Sequence, residues 1–149
     1  MDLARITAFS DGVMAVAITL LVLNIDVPRV PADQLPEQLD DLITPLAAYA
    51  LSFALVGRFW IIHHRHFATL RDFDGTLMAL NLLFLSLIAL IPFSTNLMSD
   101  YSSVPEAAAV FAATIGLASL ADWTMVAHTL RRGHVIESLT SQALSLIHI

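Results

Sequence analysis

The chain has 149 residues, 57% of them hydrophobic and 13% charged, with a mean hydropathy of +0.75. Soluble domains carry about a quarter charged residues, so this composition points to an integral membrane protein and away from a soluble one. A net charge of −6 with no Lys-rich or Arg-rich run argues against nucleic-acid binding, and zero cysteines remove disulfides and thiolate metal sites.

The first apolar stretch runs from Arg5 to Ile25. About 20 residues at ~1.5 Å rise just cross a ~30 Å hydrocarbon core, which predicts a transmembrane helix. It is too long for a signal-peptide core and lacks an Ala-x-Ala exit, so it is expected to be retained. It also carries Asp11, and a carboxylate at membrane depth costs ~2.5–3.5 kcal/mol on insertion scales. Asp11 must therefore face protein or water.

Pro28, Pro31 and Pro36 break the chain into an exposed loop, because proline removes a donor and restricts the residue before it. A second span follows over 42–64, with Thr44-Pro45 as its start and Trp60 in the aromatic belt at its other end. The turn from Arg65 to Asp74 is polar. The third span, 76–98, holds Asn81 and a kink-forming Pro92. Ser103-Val-Pro-Glu106 has the spacing of a capping box for the fourth span, 105–130, whose interior carries Asp122. With first-span limits of 6–25, the expected fold is an all-α polytopic transmembrane bundle of four spans within one domain, 1–132, followed by a tail, 133–149.

Arg5, Arg65, Arg71, Arg131 and Arg132 flank one set of span ends and only Arg29 the other. The positive-inside bias then makes the N-terminus cytoplasmic. The tail closes in Leu144-Ser-Leu-Ile-His-Ile149, the in-frame translation of CTGTCTCTTATACACATC, the mosaic end of a transposon sequencing adaptor. Residues 144–149 are accordingly expected to be a sequencing artefact and the natural chain longer.

At about 100° per residue, Gly12, Val16, Leu20 and Leu23 fall on one stripe of the first helix, with Val13 and Thr19 on its flank and Asp11 well off it. Helix rise places Asp11 about 9 Å above Arg5 and Arg58 about 9 Å above His64, so these opposite charges share a level. Asp122, ~13 Å above Arg131, is within reach of the same arginine. His63, His64 and His66 have part of a metal-ligand spacing. No His-Glu-x-x-His glutamate or Cys accompanies them, so an interfacial cluster is the preferred reading and no metal or other cofactor is expected. Asp33, Glu37, Asp40 and Asp41 would raise cation concentration at an outer mouth, or simply solvate a loop.

Arg5-x-x-x-Phe9-Ser10-Asp11-Gly12-Val13, followed by Thr19-Leu-Leu-Val-Leu23, resembles the Phe-Ser-Asp signature of the transmembrane protein 175 family of potassium channels in its prokaryotic form. Trp60-Ile-Ile-His-His64, Asn81-Leu-Leu-Phe-Leu and Leu90-Ile-Pro92-Phe extend the likeness over about the first 130 residues. The resemblance implies six helices per subunit, a homotetramer in membrane lipid, and a central pore lined by the first helix that passes potassium or other monovalent cations. By motif position it puts the aliphatic gate on Val16, Leu20 and Leu23 and a polar ring on Thr19. Val16 stands where the family has isoleucine, which widens the expected bottleneck. It also implies a structural network of Arg5, Phe9, Ser10, Asp11, Trp60, His63 and His64, to which the level argument adds Arg58 and Asp122. Two rivals stand beside the channel: a proton-coupled or proton-carrying transporter using Asp11, Arg58, Asp122 and the histidines, and a bundle in which every polar group is packing.

Overall fold

The computed structural model describes residues 2–23 and 25–133, and these are helical apart from short connections. The elements are α1 (Leu3–Val22), α2 (Leu35–Leu39), a 3-10 turn (Asp40–Leu42), α3 (Ile43–Ala68), α4 (Gly75–Asp100) and α5 (Pro105–Arg132). Among the described residues four helical segments are long and apolar enough to cross a membrane, the second combining α2, the turn and α3. The chain is a multi-pass membrane protein of all-α class. Calls on the tail after Gly133, including 144–149, lie outside the described residues.

Local chemistry sets most helix ends. Asp2 caps α1 by accepting from the Ala4 N–H at 3.0 Å, and Asp74 caps α4 by accepting from the Leu77 N–H at 2.7 Å. α5 ends where Gly133 takes the left-handed conformation at φ 68°, which a side chain would oppose. Its start differs from expectation. Val104 is the N-cap with no side-chain hydrogen bond and Pro105 is the first helical residue, so the Ser103–Glu106 capping box does not form. The serine stands one residue before the cap and the glutamate at the second helical position rather than the third, so the pair is out of register with the free N–H groups of the first turn. The second span likewise does not begin at Thr44-Pro45. The chain is already helical from Leu35, Leu42 makes no side-chain cap, and α3 grows out of the turn before it. α4 runs through Pro92 unbroken; just beyond it, the Ser94 and Thr95 hydroxyls both donate to the Ile91 carbonyl, at 3.0 and 2.8 Å. Such internal donation is how a hydroxyl is satisfied away from water.

The helices alternate in direction, as the pairs between them require. Early α1 meets late α3 through Asp11 and Trp60, late α3 meets early α4 through His63 and Asn81, and early α4 meets late α5 through Asp74 and His128. α1 and α4 are therefore parallel. α4 is the central element, packed most closely on α5 and also against α1 and α3. Met14, Val56, Leu77, Phe84, Ile88, Ile91 and Met125 form the fully buried centre where these helices meet.

Candidate functional site

The Phe-Ser-Asp triplet lies in the second turn of α1, where successive residues point about 100° apart. Phe9 faces outward and is 56% exposed, Ser10 is fully buried, and Asp11 is half-buried toward α3. Ser10 and Asp11 tie α1 to two different neighbours.

The Ser10 hydroxyl donates to the Ile6 carbonyl at 3.0 Å, so toward α4 it acts as acceptor, taking a hydrogen bond from Asn81 Nδ2 at 3.1 Å. Asn81 is thereby oriented, and its Oδ1 accepts from His63 Nε2 at 2.9 Å. This assigns the proton of His63 to Nε2, leaving Nδ1 buried without a partner. The His63 ring is fixed on both faces, stacked on Phe67 at 4.0 Å and on Phe84 at 5.4 Å between centroids. A polar chain thus runs α1–α4–α3 through an otherwise apolar interior.

Asp11 accepts from the Trp60 indole N–H at 2.9 Å, and Trp60 stacks on His64 at 5.6 Å. Depth alone predicts Arg58 as a partner of Asp11, and the indole of Trp60 is a partner that depth does not single out. Trp60 is two residues further along the helix, ~3 Å in rise but about 200° around it, and it is the side chain aimed at α1. Asp122 does not share an arginine through its Oδ1, which is buried with no hydrogen-bond partner. Among the described residues no side-chain hydrogen bond brings Arg5 into this chain; it is exposed at the start of α1, and Phe9 likewise stands outside it.

The three histidines of α3 diverge. His64 is exposed, while His63 and His66 are buried in the bundle rather than placed at its interface. His66 Nε2 donates at 3.0 Å to Thr129 Oγ1, whose own proton goes to the Met125 carbonyl at 2.8 Å. Among the described residues no group of three or more His, Asp or Glu is placed to hold a metal ion.

Several pairings were not read from the sequence. His66–Thr129, the buried Ser52–Thr95 hydroxyl pair at 2.7 Å and the Asp74–His128 ion pair at 2.9 Å join residues far apart in the chain. Asp74-Gly75 ahead of an apolar run was a legible cap signal. Nothing local marks its second oxygen as the partner of His128.

The opposite face of α1 is left uncovered. Ile6, Ser10, Met14, Ala17 and Leu21 are buried, whereas Val16 is 56%, Leu20 42% and Leu23 73% exposed, with Gly12 and Thr19 exposed beside them. The Thr19 hydroxyl donates to the Val16 carbonyl at 2.8 Å, which leaves its oxygen lone pairs outward. An apolar groove with Val13, Ala17 and Ala89 in its walls follows this face.

A family profile described as endosomal/lysosomal potassium channel TMEM175 matches residues 5–92. A potassium channel of Streptomyces collinus is 38% identical over 138 residues, which cover 89% of this chain and 67% of the relative. A potassium channel of Chamaesiphon minutus is 40% identical over 109 residues, covering 71% of this chain and 54% of the relative. The chain thus spans about two thirds of the first relative and about half of the second. The crystal structure of a lysosomal potassium-selective channel TMEM175 homologue from Chamaesiphon minutus superposes with a TM-score of 0.80 at 35% identity, covering 95% of this chain and 78% of that one.

Proposed function

The chain belongs to the TMEM175 family, a family of ion channels, and from that premise we propose that it is a potassium-permeable cation channel subunit whose pore is lined by α1. The observation that carries this reading is the division of α1 into two faces. One is clamped into the bundle through Ser10 and Asp11; the other, bearing Val16, Thr19, Leu20 and Leu23, is bare. A membrane helix fixed this firmly with an apolar stripe outward is placed to meet its own copies around an axis. Four copies, with N-termini cytoplasmic and residues 1–132 as the channel domain, are the arrangement we adopt.

In that assembly Val16, Leu20 and Leu23 form aliphatic rings that offer an ion no substitute for its hydration shell, so a narrow ring blocks by dewetting. The outward oxygens of Thr19 supply the one polar ring between them. The network of Ser10, Asp11, Trp60, His63 and His64 acts on the ion only by aiming the helix. The family's isoleucine position is Val16 here, so each subunit contributes one methylene less and the ring is wider. Potassium is the permeant, with no cofactor in the mechanism.

Passive potassium flux into liposomes tests this. Val16→Ala is expected to raise flux and Val16→Trp to abolish it; flux indifferent to both overturns the pore assignment. The buried, unpartnered Oδ1 of Asp122 favours a second reading, proton carriage through the bundle. Saturable, pH-coupled flux lost in Asp122→Asn would support that reading instead.

A further inference from the structure

Arg5 stands outside the polar chain that holds α1 through Ser10 and Asp11, and its place on the helix gives it a different surrounding. Arg5 and Val16 are eleven residues apart, which at about 100° per residue returns to within ~20° of the same direction, with about 16 Å of rise between them. Both are exposed. The bare face that bears Val16, Leu20 and Leu23 therefore begins, in the first turn of α1, with a guanidinium. The acid nearest to it in the chain is Asp2, which shares with Arg5 the groove between the first turns of α1 and α4 and caps α1 through the Ala4 N–H. The Asp2 carboxylate is thus set against the positive end of the helix dipole, which offsets it and leaves the Arg5 charge standing. The two ends of the bundle also differ in sign. Among the described residues the end that holds Arg5 carries Arg65, Arg71, Arg131 and Arg132 as well, against Asp2, Asp72 and Asp74, and Asp74 is paired with His128. The other end carries Arg29 against Asp26, Asp33, Glu37, Asp40, Asp41, Asp100 and Glu106.

We propose that Arg5 forms a cationic ring at the cytoplasmic mouth of the pore, and that this ring, opposed by the acidic outer end, makes the channel pass potassium inward more readily than outward. The inference rests on the α1-lined pore of four copies and the cytoplasmic N-terminus adopted above. A cation entering from the cytoplasm meets four guanidiniums before it reaches Val16, which lowers its concentration at that mouth; the acids at the outer end raise it there. Take an ion about 10 Å from each of four unit charges in water. Coulomb's law, screened over a Debye length of about 8 Å, then slows entry roughly twofold at 0.15 M salt, and about sevenfold near 0.01 M, where that length is about 30 Å. An effect of charge on entry fades with added salt in this way, whereas a steric bottleneck at Val16 does not.

The test records single-channel current from the full chain in excised inside-out patches, where the cell membrane fixes the orientation, with equal KCl on both sides at about 0.15 M and then about 0.01 M. Single-channel amplitude reads the pore and not the number of folded copies. Inward current is expected to exceed outward current at equal and opposite voltages, and the excess to grow on dilution. Arg5→Gln should raise outward current about twofold at the higher salt and about sevenfold at the lower, while Arg5→Lys keeps the wild-type ratio. In Arg5→Cys the new thiol is the single one, because the sequence has no cysteine, so charge can be put back on an assembled channel. A cationic thiol reagent from the cytoplasmic side should lower its outward current and an anionic one raise it. Outward current unchanged in Arg5→Gln at low salt, equal effects of the two reagents, or outward current exceeding inward in the wild type overturns the ring. Where that happens while a thiol reagent still blocks Val16→Cys, the pore reading stands and the ring alone falls; a wild type that passes no potassium current removes both.

Discussion

Asn81→Leu is the substitution that most directly probes how α1 is held. Leucine shares asparagine's branching at Cγ and is at home in the surrounding core, so the change removes two hydrogen bonds, to Ser10 at 3.1 Å and from His63 at 2.9 Å, without opening a cavity, though its larger volume adds some crowding. Interhelical hydrogen bonds in membrane proteins average ~0.6 kcal/mol and reach ~1.7, so the pair contributes about 1–3 kcal/mol. Ser10 keeps its bond to the Ile6 carbonyl and bears little of the loss. His63 bears most, since its Nε2–H is then buried among Phe67, Phe84 and leucine with no acceptor. The assay is denaturant unfolding in mixed micelles on Ser10→Ala, Asn81→Leu and the double variant. The bond predicts a coupling of about 0.6–1.7 kcal/mol, with Ser10→Ala costing far less once Asn81 is gone. Effects that add to within ~0.3 kcal/mol would refute the α1–α4 link.

Three further outcomes follow from the same geometry. Trp60→Phe keeps the stack on His64 but deletes the donor to Asp11, so it should destabilise by about 1 kcal/mol, and Asp11→Asn in that background should add little; unfolding midpoints of the two single variants and the double check this. Asp74→Asn retains the α4 cap and loses the charge facing His128, whereas Asp74→Ala loses both, so alanine should cost about 1 kcal/mol more in the same assay. Thr129→Val strands the His66 Nε2–H inside the bundle and should cost about 1–3 kcal/mol, while Thr124→Val, at a hydroxyl bonded only within its own helix at 2.6 Å, should cost less.

The apolar runs and prolines made the four long helices legible, and the two faces of α1 were legible from helical periodicity alone. The partners of Asp11 were not. Rise per residue gives the depth of a side chain but not its direction, and Trp60 and Arg58 are almost equally deep and point apart. The capping box failed for a related reason: Ser103 and Glu106 have the right spacing, but the helix starts one residue later than that spacing requires, with Val104 as the cap. Asn81 stood out as an amide inside an apolar span, yet its two ends meet Ser10 and His63, 71 and 18 residues away in the chain, and no local pattern records such pairs. Pairs at long range come from tertiary packing, and only the resemblance hinted at them.

The claim that the bare face of α1 lines a pore is tested most directly by a thiol at Val16. The sequence has no cysteine, so Val16→Cys is the single reactive site, and Leu117→Cys on the exposed face of α5 is the control. In liposomes passing potassium, a bulky, water-soluble thiol reagent should block flux through Val16→Cys and leave Leu117→Cys unaffected. Unchanged flux through labelled Val16→Cys would contradict the account.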